Sequence, residues 1–432
     1  MPDAVPTHRT SRTSGESHRF DSGDSSTSPA PRAGRSARLV RLLALMGPAF
    51  VAGAWQFGPG NLTSAVQAGS RFGYSLIWVL VISTVLMIAF TDMSVRIALV
   101  SRDSVVETVK RTLGRAVGGA AGLGVFVIAL MFSVGNAVGA GLGLSLVLGG
   151  SPVWWTFACT AVVATFLFTR GLYGVIEKVL LAMIATMAVC FVITAVLSRP
   201  DWTGAAAGLV PTIPPGTGLL LVALVGTNFS INAAFYTGYA SRERGLHRDQ
   251  YRETTLADTI PGIVAPGIMT ALVIIASAAV LRDEQGASLA ELAGVLEPIA
   301  GQTGRIIFAL GFFGAAFSSM LANATAGGTL LSDGLGWGNQ LSSGRVRLAI
   351  LGVLAFGATV TAVAGGSPIQ LIITAQALTV VVAPLLGILL VILANNRRLM
   401  GDLRNRWWHN PLAALGLAAI LATCYSLITS FS

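Results

Sequence analysis

The sequence predicts an all-α polytopic membrane protein, and three observations carry that reading. Of 432 residues, 53% are hydrophobic and only 11% are charged, against about a quarter charged in soluble domains. The apolar residues fall in repeated runs of roughly 20, the length that crosses a bilayer as a helix. The 50 glycines suit the close helix approach that packing in lipid demands. The net charge of +9 does not point to nucleic acid, because the basic residues sit in a tail and in loops, as the positive-inside rule places them. Cys159, Cys190 and Cys424 lie singly in apolar segments and read as packing residues rather than metal ligands.

Residues 1–37 are rich in Ser, Thr, Pro, Arg and Asp, so they read as a disordered cytoplasmic tail ahead of a transmembrane domain over 38–432. No signal-peptide core follows. Segment 1, about Leu42–Ala68, carries Gly58-Pro59-Gly60-Asn61 near its middle. Pro59 has no N–H and glycine is a poor helix former, so the helix is expected to break at Gly58, Pro59 and Gly60. In lipid, a break is tolerated only where its freed N–H and C=O groups face protein or a polar cavity. Segments 2 to 5 are about Leu76–Val100, Gly118–Leu148, Val153–Phe168 and Leu172–Leu197. Segment 6, about Gly218–Ala240, places Thr227, Asn228, Ser230 and Asn232 near the midplane, where lipid-facing packing does not explain them. Segments 7 to 11 are about Ile260–Leu281, Ile306–Leu331, Leu348–Ala364, Ile369–Ala394 and Pro411–Ile428. An external stretch with Asp283, Glu284, Glu291 and Glu297 follows segment 7.

With the N-terminus inside, all but Arg71, Arg199, Arg282 and Arg305 of the 28 lysines and arginines fall in the tail, the inner loops or the inner ends of segments. That bias sets a cytoplasmic N-terminus and about eleven spans. Trp407 and Trp408 read as an inner interfacial anchor, and Trp154 and Trp155 as an outer one. Ten spans divide into two groups of five with opposite orientation, because five is odd. Segment 1 then pairs with segment 6, and interrupted or polar segments at matching places in two halves mark a secondary-transporter site.

The stretches Gly47-Pro48-Ala49-Phe50, Gly58-Pro59-Gly60-Asn61, Gln67-Ala68-Gly69, Phe72-Gly73-Tyr74 and Leu76-Ile77-Trp78-Val79, with Arg96, Val225-Gly226, Gln376 and Pro384, resemble the Nramp family of proton-coupled divalent-metal transporters. The resemblance covers most of residues 45–395. It implies a LeuT-type fold, a five-plus-five inverted repeat with one extra helix, and transport in a bacterial cytoplasmic membrane. It also implies a metal site, and there the chain departs from the family. Gly58 stands for the liganding Asp of segment 1. Ser230, Ile231 and Asn232 stand for the Met-Pro-His of segment 6. Gly135 and Val138 stand where segment 3 has acids on its proton path. Asn61, the Thr227 carbonyl and Ser230 are what remains to ligand a metal.

A thioether favours softer transition metals, whereas Ser230 offers a hard neutral oxygen. Without the Asp, a dehydrated dication is poorly compensated. The expected substrate site is therefore neutral: Gly58, Asn61, Thr227, Asn228, Ser230, Asn232 and Gln376, with Asn136 and Asn323 near it. Three functions stay open. One is a metal carrier shifted to a hard cation such as Mg²⁺. Another is a carrier of a small polar metabolite with a carboxylate or amide. The last is a membrane module for signalling or scaffolding. No enzyme, cofactor, nucleic-acid or obligate protein-partner signature is present; the Gly-Pro-Gly lacks the context and Lys of a phosphate loop.

Several residues have bland readings beside the functional ones. Asn61 also suits a helix N-cap. Asn228 and Asn232, spaced i, i+4, also suit interhelical hydrogen bonds, and Thr227 and Ser230 suit back-bonding to helix carbonyls. Asp92 and Arg96, also i, i+4, are expected to pair. Asp258 is expected to cap segment 7, Glu177 and Lys178 to sit at the inner interface, and Glu107, Lys110 and Arg111 to lie in a solvated loop. His8, His18, His247 and His409 fall in the tail or inner loops, away from any core proton path.

Overall fold

A computed structural model describes residues 56–101, 103–168, 173–281, 289–364 and 367–430. The tail, the first half of segment 1 with Gly47-Pro48-Ala49-Phe50, the acids Asp283 and Glu284, and the side chains of Glu177 and Lys178 lie outside the described residues.

Among the described residues every regular element is helical. The second half of segment 1 is α1 (Pro59–Phe72). It is followed by α2 (Ile77–Ser101), α3 (Val105–Leu113), α4 (Arg115–Leu148), α5 (Pro152–Phe166), α6 (Tyr173–Leu197) and α7 (Trp202–Ala207). Segment 6 is split into α8 (Gly218–Asn228) and α9 (Ile231–Glu243). Then come α10 (Ile260–Val280), α11 (Glu297–Gly334), α12 (Gly344–Val363), α13 (Pro368–Leu378), α14 (Ala383–Asn395) and α15 (His409–Ser430). Taking α8 with α9 and α13 with α14, 8 described spans are long and apolar enough to cross a membrane. The shorter α5, the apolar part of α6 and α1 occupy the other expected places.

Three spans are interrupted. Gly58 is extended (φ −77°, ψ −179°) and Pro59 takes the first turn of α1, where its missing N–H costs nothing. Segment 6 breaks at Phe229 (φ −96°, ψ 64°) and Ser230 (φ −82°, ψ 83°) although no proline is present. Two polar side chains bond back to carbonyls of the turn before it. Thr227 Oγ1 donates back to Ala223 O at 2.9 Å and Asn228 Nδ2 to Leu224 O at 3.0 Å, which competes with the helix ladder. Phe229 turns out to pack edge-on against Phe90, ring centres 5.0 Å apart. Segment 10, expected as one helix, gives way to a tight 3₁₀ turn at Thr379–Val381, and α14 starts with Pro384 in its first turn. A proline there cannot donate to the preceding turn.

Other expectations change at the helix ends. Residues 105–113 are not a solvated loop but the amphipathic α3, capped by Ser104 and burying Val105, Val106 and Val109. Lys110 Nζ pairs with Glu107 at 2.6 Å and donates to Asp333 O at 2.7 Å, and Arg111 pairs with Asp103 at 2.7 Å. Asp258 does not cap a helix: it is fully buried inside a π turn, Thr255–Thr259, because helical structure already starts at Tyr251. Segment 8 starts earlier than its hydropathy suggests and bends at Gly301 (φ 51°), a conformation that favours glycine. His409 is not in a loop; it opens α15, is buried, and stacks on Trp408. Trp154 and Trp407 are exposed, as interfacial anchors are.

The Asp92–Arg96 pair forms at 2.8 Å with Arg96 only 2% exposed. The guanidinium also donates to Leu403 O at 2.7 Å and Asn405 Oδ1 at 2.9 Å, and Tyr251 OH donates to Asp92 at 2.8 Å. This network ties the C-terminal half of α2 to the helical turn before α10 and to the turn before α15. Asp92→Asn leaves a buried guanidinium uncompensated and is expected to cost about 3–5 kcal/mol. Tyr251→Phe removes one hydrogen bond and is expected to cost about 1–3 kcal/mol. Denaturant unfolding in detergent measures both; equal stability of Asp92→Asn and wild type would show that the pair carries no weight.

Candidate functional site

The site is built where the breaks of segments 1, 6 and 10 meet. On α1, the first hydrogen bond to close is Leu62 N to Gly58 O at 3.1 Å. The N–H groups of Gly60 and Asn61 therefore have no acceptor within the helix. They carry the positive end of the α1 dipole. On α8, the last intrahelical bond is Phe229 N to Val225 O at 2.7 Å, so the Thr227 and Asn228 carbonyls lie past the ladder. Gln56 Nε2 takes up the Asn228 carbonyl at 3.2 Å.

Side-chain amides brace the breaks against each other. Asn228 Nδ2 donates to Asn61 Oδ1 at 3.2 Å. Asn61 Nδ2 donates to Thr270 Oγ1 at 2.8 Å, and Thr270 Oγ1 donates to Pro266 O at 2.8 Å. A second chain runs outward from Ser230. Its hydroxyl donates to Asn232 Oδ1 at 2.9 Å, Asn232 Nδ2 to Asn323 Oδ1 at 3.1 Å, and Asn323 Nδ2 to Ala129 O at 3.0 Å. The first chain joins α1, α8 and α10; the second joins segment 6, α11 and α4.

Between these chains lies a small, partly open cavity with several polar lining residues. Gly58, Gly60 and Asn61 line it from segment 1, Thr227, Ser230 and Asn232 from segment 6, and Gln376 from α13. Asn228, expected among the lining residues, is instead a strut between Asn61 and Leu224 O. Asn136 and Asn323 line the cavity as expected. Sequence reasoning missed Gln56, Phe132 and Ser319. Ser319 had a signal, since it precedes Asn323 by four residues and shares its helix face. Gln56 had another, as a polar residue next to the Gly-Pro-Gly break.

The cavity is about 20 Å³, room for a water molecule or a bare ion in this conformation. Among the described residues its lining has no Asp, Glu, His, Cys or Met, and no three His, Cys, Asp or Glu side chains gather to hold a metal. Three buried polar atoms in the lining have no hydrogen-bond partner: Asn136 Nδ2, Ser319 Oγ and Gln376 Oε1. Unmet polar groups at this depth mark a place for a ligand or water.

A family profile described as natural resistance-associated macrophage protein-like matches residues 49–430. The chain belongs to the Nramp family. It is 29% identical over 377 residues to a divalent metal cation transporter MntH of Klebsiella pneumoniae, covering 84% of this chain and 89% of that one. It is 24% identical over 400 residues to the MntH of Pectobacterium carotovorum, covering 90% and 95%. The fold resembles the manganese transporter of Eremococcus coleocola, with a TM-score of 0.74 and 18% identity over 94% of this chain and 89% of that one. It also resembles MhsT solved with L-phenylalanine, with a TM-score of 0.59 and 16% identity over 88% and 98% of the two chains. The LeuT-type Nramp fold expected from the motifs is the fold the chain has.

Within that fold, glycines on α4 and α1 have a packing role. A side-chain carbon at Gly135 would meet Gln376 Nε2 at 2.5 Å, and one at Gly60 would run into the Gln376 side chain. One at Gly139 would meet Pro59 Cβ at 2.6 Å. Glycine on α4 and α1 makes the slot that Gln376 fills. Gly60→Ala and Gly135→Ala are each expected to lose about 1–3 kcal/mol through overpacking. Each loss shrinks when Gln376→Ala is added, giving a coupling of about 0.5–3 kcal/mol in a double-mutant cycle. Additive effects in that unfolding series would show that Gln376 moves aside freely.

Proposed function

We propose that this chain is a secondary transporter of a bacterial inner membrane, not an enzyme. It works by alternating access around the cavity between the broken segments, with residues 1–37 as a cytoplasmic tail. Its cargo is a hard divalent cation, with Mg²⁺ preferred over Mn²⁺ or Fe²⁺. One observation supports this selectivity above the rest: among the described residues the lining offers neutral oxygen and amide groups and no thioether, imidazole or carboxylate. Oxygen donors suit Mg²⁺, which keeps several of its own waters. Asn61 Oδ1, the Thr227 carbonyl and Ser230 Oγ are the candidate ligands, with Gln376 Oε1 beside them. Because the cavity is about 20 Å³, a partly hydrated ion enters only when the half-helices separate.

A second reading, a carrier of a small carboxylate or amide metabolite, is favoured by a separate observation. Asn136 Nδ2 is a buried donor without a partner, and the start of α1 adds the positive end of a helix to the same cavity.

Uptake into liposomes separates the two readings. Mg²⁺ uptake, reported by a trapped fluorescent chelator, is expected to saturate and to fall at least about tenfold in Asn61→Ala. Mn²⁺ is expected to compete weakly. Gly58→Asp is expected to strengthen Mn²⁺ binding by at least about tenfold, since it adds a charge at the site. Strong Mn²⁺ uptake by the unaltered protein would sink the hard-cation reading, and saturable metabolite uptake in a chelator would replace it.

A further inference from the structure

The cavity has a charge problem that its own residues do not solve. A divalent cation arriving there leaves some of its water, and the lining returns only partial charges. Gly58 brings no side chain, and no lining residue is acidic. An anion must therefore come from elsewhere if a dication is to rest there.

The cavity holds groups suited to such an anion. The N–H groups of Gly60 and Asn61 begin a 14-residue helix, α1, and lack acceptors within it. Asn136 Nδ2 on α4 and Ser319 Oγ on α11 add two donors from other segments. Asn136 is 3% exposed and Ser319 2%, and neither atom has a partner. Buried donors left unpaired are costly, so they point to a missing acceptor. The same cavity has acceptors for a cation. Gln376 Oε1 is unpaired, Asn61 Oδ1 keeps a lone pair beyond its bond from Asn228, and the Thr227 carbonyl lies past the α8 ladder. Unpaired donors and unpaired acceptors in one neutral cavity fit a ligand that carries both signs.

We propose that the cavity, once the half-helices separate, takes a divalent cation together with a small carboxylate, as an ion pair, and that the carboxylate supplies the negative charge that Gly58 does not. This rests on the hard-cation reading above. Donors at the start of α1, Asn136 and Ser319 hold the carboxylate. Gln376, Asn61 and the Thr227 carbonyl face the cation. The pair is neutral or singly charged, so its transfer into the neutral cavity costs far less than that of either ion alone. No bond is made or broken in the transfer. By linkage, each ion raises the affinity of the other by the same factor.

Calorimetry on the full-length protein in nanodiscs tests this with MgCl₂ and sodium glycolate, a small carboxylate. Glycolate is expected to tighten Mg²⁺ binding by at least about tenfold, and Mg²⁺ to tighten glycolate binding equally. Asn136→Ala and Ser319→Ala are expected to remove that enhancement without lowering the melting temperature. Gly58→Asp is expected to make Mg²⁺ binding independent of glycolate. Should that variant not fold, Asn136→Asp, which is isosteric, supplies a charge in the same cavity and is expected to do the same. Mg²⁺ binding that is indifferent to glycolate would overturn the ion pair and leave the hard-cation reading standing. Glycolate binding in a chelator, with no Mg²⁺ binding in any arm, would overturn both. An enhancement that survives Asn136→Ala and Ser319→Ala together would show that those donors hold water, and would also overturn the proposal.

Discussion

A polypeptide in lipid has no water to satisfy its backbone, so every helix break must find internal partners. The rest of this structure depends on that constraint at three places: Gly58–Gly60, Phe229–Ser230 and Thr379–Val381. The Asn228–Asn61 hydrogen bond links the first two, and Gln56 holds the Asn228 carbonyl. Thr379 Oγ1 donates to Gln376 O at 2.7 Å and secures the third break next to the residue that lines the cavity. Much of the polar chemistry near the midplane is thus occupied in holding broken helices. Three of the polar atoms left unpaired, on Asn136, Ser319 and Gln376, line one cavity.

Charge and neutrality are separated along the membrane normal. The buried ion pair Asp92–Arg96 sits at the end of α2 that the charge distribution places inside. It is saturated by Tyr251, Asn405 and the Leu403 carbonyl. Lys110, Glu107 and Asp333 form another set between α3 and the end of α11. None of these lines the cavity. A cargo there meets oriented dipoles from the start of α1 and from amides, rather than a fixed charge. Such dipoles orient a ligand but compensate a full charge only in part.

Membership of the Nramp family and the LeuT-type fold rest on the backbone: the breaks, the glycine-mediated approaches and the helix order. Selectivity rests on side chains that project from that backbone. Gly58 breaks the helix pattern ahead of α1, and segment 6 breaks at Phe229 and Ser230 with no proline there. Ser230 and Asn232 bring neutral side chains to the cavity, and Gly58 brings none. A shared fold at 18% identity to a manganese transporter does not say what the protein carries.

The sequence by itself determined the membrane class, the order of the spans, the break at Pro59, the Asp92–Arg96 pair and the neutrality of the site. Each follows from local chemistry: run length, a missing N–H, an i, i+4 spacing, or the plain absence of acids. Only the tertiary structure decided which polar residues face the cavity and which hold the fold. Asn61 and Asn228 are the same residue type in equally apolar surroundings. Both amides brace the breaks, but only Asn61 also lines the cavity, because the register of α1 against α8 brings it to the cavity wall. The breaks at Phe229 and Thr379, the early start of segment 7 around Asp258 and the contribution of Ser319 were settled in the same way. A helix end in lipid depends on which partner waits across the interface, and that partner lies far away in the chain.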